Sequence, residues 1–543
     1  MVFARRSTTL LAAIIASCAM VLSLTACTSD NKTVVDGQTT VTSNSAGGVA
    51  VFTPSDGITL NQQTPLNKWA KLVHDLTKAL VDAGFKKGDI DHTTSDSLDK
   101  QSRAIQDFVV DHLSNNTTDD SGIAIAPDNM TLLVAPVVEA DASTRQYGDY
   151  ISQNLSTNDA TDEGATSDGE SSEDDSSKDD SSNTESDSTA SDEQAQAVDR
   201  LVSSLKLAKE SGMHVVLLGN SIEGYKPDAF VKFSDAQTIG KLQAEKMVSK
   251  LKLDKASKDN PKYIEVLLPY TAMDEKGNAN DSTFAQEAFR GIWQVLGSYY
   301  QKGVVESPSG TLDGKSTEND WQAVAYDAAK EGSTAKVLDK RLAKTDGQST
   351  LTRIDGIITM NDYIASEVVK ELDDLGYTGS AADINPQITI SGIVGNITGK
   401  KDLSRDAVPD PIKSPENDNA NDSSSSDDDA DKDTSASDKD RDSQWPLVTG
   451  YGAYVSNIPS IVNGKQWMTG MEDRQTIATD IAQACAKLNK DEALNSMPSI
   501  RNSEVGGVKK IPTISEPLLA VSAGNLKSAL IDPGYISLAD AGL

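Results

Sequence analysis

Apolar and polar positions follow two rhythms along the chain. Short apolar runs bounded by Gly, Pro or polar clusters predict buried β-strands, and longer segments with apolar residues at helical spacing predict amphipathic helices. The predicted strands are Gly48–Thr53, Met130–Val138, His214–Leu218, Tyr263–Leu268, Val304–Ser307, Ile354–Thr359, Gln387–Ile393 and Pro446–Thr449. The predicted helices are Leu66–Ala83, Gln101–Leu113, Ala195–Ser211, Asp235–Leu251, Thr283–Leu296, Trp321–Glu331, Ile364–Leu375 and Gln475–Leu488.

This alternation of strands and helices predicts an α/β protein whose parallel sheets are covered by helices on both faces. Two such series follow each other, so we expect two doubly wound parallel-sheet lobes joined by a hinge. The expected boundaries are 1–26 for a signal peptide, 27–47 for a tether, 48–232 for the N-terminal lobe, 233–470 for the C-terminal lobe, 471–512 for a return to the N-terminal lobe and 513–543 for a closing strand and tail. In such sheets ligands bind beyond the carboxyl ends of the strands.

Two acidic runs interrupt the pattern and account for most of the net charge of −32. Thr157–Gln194 carries 14 acidic residues and one lysine, and Glu416–Asp442 carries 11 acidic and three basic residues. Both runs are almost empty of apolar residues and cannot bury enough surface to offset chain entropy. We therefore expect disordered insertions at about 155–194 and 404–443. The sign of the charge disfavours nucleic-acid binding.

The first 27 residues have the layout of an export signal. Arg5 and Arg6 precede an apolar run from Leu10 to Leu24, which is shorter than the roughly 20 residues of a membrane-spanning helix. The run ends in the letters LTAC at Cys27, which resemble the lipobox of bacterial lipoproteins. The resemblance implies cleavage before Cys27 and a diacylglycerol on its sulfur, and two acyl chains suffice for stable anchoring. The alternative is an ordinary secreted chain.

Signals for catalysis or a bound metal are poor. The four histidines are scattered, without metal-ligand spacing. Cys485 lies in a helical pattern, where buried packing is favoured over chemistry. Gly310–Ser316 is one residue short of a phosphate-binding loop, and no Gly-x-Ser-x-Gly elbow occurs. We expect no enzyme, no cofactor and no metal.

Four segments, taken in chain order, resemble the xylose-type sugar-binding proteins. They are DAQTIGKLQAE at 235–245, IDGIITMND at 354–362, IVNGKQWMT at 461–469, and the closing stretch from PLLAVS at 517–522 to DPGYI at 532–536. The chain is therefore similar to the type I periplasmic binding proteins, the solute receptors of ABC sugar importers. The resemblance implies two lobes that close on a ligand by hinge motion.

The same resemblance implies five ligand-site residues. Asn361 holds the position of an Asn that binds sugar hydroxyls, and Trp69 matches an aromatic residue near the cleft. Asp235 matches a hinge Asp, Tyr451 a strand-end aromatic, and Gln286 the slot often filled by an Arg. The alternatives are helix caps for Asn361 and Asp235 and a core position for Trp69.

Three positions depart from the family pattern. Val138 stands where a polar residue is common, Gly452 where an Asp follows the strand-end aromatic, and Glu472 near the family's Lys. Losing charged anchors weakens the case for a small monosaccharide held by charge-assisted bonds. A larger ligand and a lobe pair without ligand binding both stay open.

The resemblance implies a lipid-anchored receptor outside the cytoplasm. Its expected partners are a small-molecule ligand, in the first place a sugar, an ABC permease, and the membrane through the lipid on Cys27, and the receptor is expected to be a monomer. Two alternatives remain: a ligand-binding component of a membrane sensor, and, from a different class, a surface glycan hydrolase.

Overall fold

The computed structural model of the chain describes residues 32–35, 38–41, 46–56, 65–115, 125–138, 144–156, 184–273, 280–328, 330–343, 351–382 and 445–542. The chain divides into two compact units, Met1–Asn44 and Ser45–Leu543. In the first unit the described residues form one antiparallel hairpin. Every other element belongs to the second unit.

The strands are β1 (Lys32–Val35), β2 (Gln38–Val41), β3 (Gly48–Pro54), β4 (Ile90–Ser95), β5 (Met130–Val134), β6 (Asn154–Leu155), β7 (His214–Leu218), β8 (Ser221–Ile222), β9 (Ala229–Val231), β10 (Lys262–Val266), β11 (Leu268–Pro269), β12 (Val305–Glu306), β13 (Ala325–Tyr326), β14 (Gly356–Ile358), β15 (Leu447–Thr449), β16 (Met468–Met471), β17 (Ile500–Val505), β18 (Val508–Ile514) and β19 (Leu519–Ser522). The helices are α1 (Trp69–Asp82), α2 (Leu98–Asn115), α3 (Thr184–Glu210), α4 (Ala236–Leu251), α5 (Thr283–Gln301), α6 (Trp321–Val324), α7 (Ser333–Arg341), α8 (Asp362–Asp374), α9 (Ile458–Val462) and α10 (Arg474–Leu488).

The first lobe is built on a seven-stranded sheet in the order β17-β18-β9-β7-β5-β3-β4. Its neighbours run parallel except for the edge pair of β17 and β18. Successive side chains of a strand point to opposite faces of the sheet. In the central strands β3, β5 and β7 the side chains on both faces are buried. Val49 and Val51 pack with α1 and α10, whereas Ala50 and Phe52 pack with α2 and α3.

The second lobe is built on a four-stranded parallel sheet in the order β12-β10-β14-β15. Ile358 packs in the cluster that contains α4 and α5, and Ile357 packs in the cluster that contains α7 and α8. The predicted fold class, two doubly wound parallel-sheet lobes, is confirmed by these two sheets.

Several elements differ from the sequence prediction. The predicted helix Trp321–Glu331 is wrong: α6 ends at Val324, because Ala325 is extended and β13 pairs with β11. α3 begins at Thr184, before the predicted start at Ala195. The strands β4, β9, β17 and β18 were not predicted, and β4 exposes four of its six side chains and so has no apolar run.

Some predictions fall outside the described residues. They are the strand Gln387–Ile393, the lipid site Cys27, the acidic run at 416–442 and most of the run at 157–194. In the described part of the chain, no helix is both long and apolar enough for a membrane crossing. Cys485 is buried in the first-lobe core, as its helical pattern predicts.

Candidate functional site: the contact between the lobes

The chain passes three times between the two sheets. It leaves β9 for α4 through residues 232–235, returns from β16 to α10 through residues 472–473, and leaves β18 for β19 through residues 515–518. Three crossings that lie side by side form a hinge, because all three can bend together while each lobe stays rigid. The space beyond the strand ends is therefore bounded by two lobes that can separate.

Residues 144–151, which we name the inter-lobe segment, follow β5 and extend to the second lobe. Tyr147 is buried in the second-lobe core, with its ring centroid 4.7 Å from that of Phe284 and 6.2 Å from that of Tyr451. Gly148 has a φ of 97°, and a Cβ there would lie 2.7 Å from the Cβ of Asn67. Only glycine fits this turn without strain, and the turn aims Tyr147 across the lobe boundary.

The other end of the inter-lobe segment is anchored to the first lobe. Asp149 accepts a hydrogen bond from the Trp69 backbone N–H at 3.1 Å and pairs with Lys68 at 2.9 Å. Burial raises the pKa of Asp149 to about 6, and Lys68 opposes that rise. The Tyr150 hydroxyl donates to the Lys68 carbonyl at 2.5 Å. The segment therefore belongs to the first lobe and presents Gln146 and Tyr147 to the second.

Asn361 is the second-lobe side chain that meets this segment. Its Nδ2 donates to Oε1 of Gln146 at 3.0 Å, and its Oδ1 accepts from the Ile364 backbone N–H at 2.9 Å. Asn361 thus caps α8 and reaches the other lobe at once. The Tyr454 hydroxyl donates to the Gln146 carbonyl at 2.6 Å. The two lobes touch through neutral amide and hydroxyl groups.

Tyr454 is held in place by a buried carboxylate. Asp362 accepts from the Tyr454 backbone N–H at 2.9 Å, from Gln466 Nε2 at 2.7 Å and from Thr469 Oγ1 at 2.9 Å. Burial raises the pKa of Asp362 to about 6, and these three hydrogen bonds oppose the rise. In the Asn-Asp element, Asn361 therefore contacts the other lobe, and Asp362 holds Tyr454, which makes the second contact.

Tyr451 lies at the hinge. Its hydroxyl accepts from Asn67 Nδ2 at 3.1 Å and lies 2.6 Å from Ser234 Oγ. Ser234 belongs to the first crossing and donates its backbone N–H to Oε1 of Glu472, in the second crossing, at 2.6 Å. Glu472 is 1% exposed, and burial raises its pKa to about 7. We name Asn67, Ser234, Tyr451 and Glu472 the hinge cluster.

The other site residues lie at different places. Trp69 is 3% exposed in the first-lobe core, with its ring edges against Tyr150 and Phe233, which favours the core alternative for it. Asp235 caps α4 through Thr238 and pairs with Lys232 at 2.9 Å. Gln286 is half-buried on α5 and donates to Ser282 Oγ at 2.7 Å.

The departure at Gly452 has a local cause. Gly452 has a φ of 113°, and a Cβ there would lie 2.8 Å from the ring of Tyr454. Its carbonyl also accepts from the Leu66 backbone N–H at 2.9 Å. A side chain here would be strained and would displace the tyrosine that faces Gln146, so an Asp does not fit.

Sequence reasoning missed Gln146, Tyr147 and Tyr454. The segment that holds the first two follows the predicted strand Met130–Val138, and its aromatic residues at 147 and 150 were the available signal. The described residues contain no group of three His, Cys, Asp or Glu side chains that could hold an ion.

No protein-family model and no curated protein matches this chain. Solved structures similar to it include an ABC transporter solute binding protein from Clostridium phytofermentans with bound β-D-glucose, with 17% identity, a TM-score of 0.44, and coverage of 91% of this chain and 99% of that chain. A carbohydrate transporter solute binding protein from Chloroflexus aurantiacus in complex with D-glucose has 18% identity, a TM-score of 0.42, and coverage of 92% and 98%. AraP, an arabinose binding protein from Geobacillus stearothermophilus, has 9% identity, a TM-score of 0.41, and coverage of 89% and 99%. These three proteins belong to the class that the sequence segments resemble. Their ligands are not assigned to this chain, because the sequence identities are below 20% and the TM-scores are below 0.5.

Proposed function

We propose that this chain is a lipid-anchored, extracytoplasmic solute-binding receptor of an ABC importer and that its ligand is a carbohydrate. The observation that carries the proposal is the pair of amide side chains, Gln146 and Asn361, that face each other from two lobes beyond the strand ends. An amide donates and accepts at once, which suits neighbouring sugar hydroxyls. The receptor performs no chemistry and works as a monomer.

The mechanism follows from the hinge. When the lobes separate, the bond between Gln146 and Asn361 breaks, and both amides are free to bind hydroxyl groups. The faces of Tyr147 and Phe284 become accessible at the same time, and aromatic faces pack well on the apolar faces of a pyranose. Closure around the sugar then restores a compact form for the permease to recognise.

The remaining residues have supporting roles in this proposal. Tyr451 and Asp235 hold the hinge, Gln286 extends the polar wall of the second lobe, and Trp69 supports the start of α1. The lobes are proposed to span 48–232 and 233–470, with a return at 471–512 and a closing strand and tail at 513–543.

A thermal-shift screen with neutral mono- and oligosaccharides tests the function. A ligand at 100 times its dissociation constant should stabilise the chain by about 2.7 kcal/mol. We expect Asn361→Ala to weaken binding of that ligand about 5- to 150-fold in calorimetric titration, since an unpaired buried polar group costs about 1–3 kcal/mol.

The control separates ligand binding from helix capping. Asn361→Ser keeps an oxygen that can cap α8 without adding a charge, so it should lose less stability than Asn361→Ala, which also loses the cap, about 1 kcal/mol. Neither variant keeps the amide N–H that faces Gln146, so sugar binding should fall in both. Unchanged affinity in both variants, or a screen in which no sugar binds, would contradict the proposal.

The lipid anchor has its own test. We expect Cys27→Ser to move the protein from the membrane fraction to the soluble fraction, because the sulfur that carries the diacylglycerol is gone. The measurement is fractionation followed by immunoblotting, with Cys485→Ser as the matched control. A Cys27→Ser protein that stays in the membrane fraction would show that the anchor is not a lipid on this residue.

A further inference from the structure

A groove of about 620 Å³ lies outside the lobe contact, between α1, α10 and the C-terminal tail. Its volume falls in the range of small-molecule sites. The helical walls belong to the first-lobe core, whereas Tyr535 of the tail packs in a cluster with Ile458 and Ile461 of α9. The groove therefore lies between two first-lobe helices and the tail, on the side where the second crossing enters α10.

The groove carries positive charge in a strongly acidic chain. Lys71, His74 and Lys78 are exposed and line it together from one face of α1, since the spacing of three and seven residues repeats the helical turn. The two ammonium-bearing residues are about 10 Å apart along the helix axis. In a protein of net charge −32 this stripe is a local exception.

The lining holds three cations, Lys71, Lys78 and Arg474, and two carboxylates, Asp75 and Asp82. Asp75 pairs with the buried Arg474 at 2.5 Å, so its charge is already neutralised. That leaves Asp82 of the lining against two lysines, and Asp540 of the tail interacts electrostatically with Lys71. Arg474 also donates to the Leu66 carbonyl at 3.1 Å, and its guanidinium lies over the Tyr535 ring at 4.7 Å from the ring centroid. These contacts hold the Arg474 side chain in one position in the groove. The lysines have no ion-pair partner within 4 Å among the described residues.

Uncharged polar side chains complete the lining of the groove. Gln475 is held by the tail, since its Nε2 donates to the Pro533 carbonyl at 2.8 Å and its backbone N–H to the Tyr535 hydroxyl at 3.0 Å. Gln483 and Thr479 lie farther along α10 and can add hydrogen bonds. Ammonium groups with nearby amides and hydroxyls are the donors that phosphate and carboxylate oxygens accept from.

We propose that this groove binds a small anion that carries phosphate or carboxylate groups. Because α1, α10 and the tail all line the groove, a bound anion contacts all three at once. The site does not depend on the identity of the ligand between the lobes.

Calorimetric titration of the full chain with inorganic phosphate and with citrate tests the site. We expect one of these anions to bind at low ionic strength and to bind more weakly as salt is added. The variant Lys71→Ala/Lys78→Ala should lose at least about tenfold in affinity, because it removes both unpaired cations. Its melting temperature should not change, since both side chains are exposed.

The control is Lys206→Ala/Lys246→Ala, which removes two exposed lysines from other helices and leaves the groove intact. It should bind the anion like the parent chain. Phosphate binding without citrate binding would assign the site to phosphate groups, and the reverse result to carboxylates. The proposal is overturned if neither anion binds, or if the control loses as much affinity as the groove variant.

Discussion

We expect Trp69→Ala to lower the free energy of unfolding by about 3–5 kcal/mol, the usual range for truncating a buried aromatic side chain. The ring is 3% exposed, and its neighbours Tyr150 and Phe233 hold it from two sides. Its backbone N–H donates a hydrogen bond to the Asp149 carboxylate, which fixes the start of α1. Removing the ring leaves a cavity at the start of α1, where the inter-lobe segment is anchored.

Urea unfolding of the full chain, followed by circular dichroism, measures this loss. Trp69→Phe is the control, because it keeps an aromatic ring and should lose less. Sugar affinity should change only as far as the fold loosens. A Trp69→Ala protein of unchanged stability that no longer binds sugar would show instead that the ring faces the ligand.

The fold could be predicted because its strongest signals are local. β3, β5 and β7 are buried on both faces, so they read as apolar runs, and α1 and α10 show one apolar stripe each. The edge strands gave no such signal. β17 buries two of its six side chains and β18 three of its seven, and polar residues interrupt both strands, so neither contains an apolar run.

The site could be predicted only in part. Asn361 was found because a strand end followed by Asn-Asp is a local pattern, and the structure places it at the lobe contact. Its partner Gln146 is 215 residues away in sequence, and no local pattern relates the two. Trp69 shows the opposite case: the aromatic residue was recognised, but its burial depends on Tyr150 and Phe233, which lie far along the chain.

The second large expected effect is a pH dependence of stability that comes from Glu472. The sequence alone did not indicate a role for this residue. Its carboxyl is buried in the hinge cluster, where the Ser234 N–H at 2.6 Å and the Tyr451 hydroxyl at 3.5 Å face it. Among the described residues no Lys or Arg forms an ion pair with it, and the charge of Asp235 further raises its pKa. A carboxylate here is therefore a buried charge without a cation.

We expect the contribution of Glu472 to the stability of the chain to fall as pH rises from about 4.5 to above 7. Burial raises the pKa of Glu472 from 4.5 to about 7, so over this window the folded state keeps a proton that the unfolded state releases. The stabilisation is fully present below pH 4.5 and is lost through pH 7, on the order of 3 kcal/mol. Asp362, whose pKa burial raises to about 6, contributes in the same direction.

Glu472→Gln should remove the Glu472 share of this dependence. The amide has the shape of the protonated acid, and its oxygen can still accept from Ser234, so the variant should match the parent chain at low pH and exceed its stability above pH 7. Melting temperatures measured across the window decide this, with the exposed Glu504→Gln as the control. Parallel curves for Glu472→Gln and the parent chain would mean that the Glu472 carboxyl titrates as it does in water. In that case the hinge cluster would hold an ordinary carboxylate, and the chain's stability would not depend on its proton.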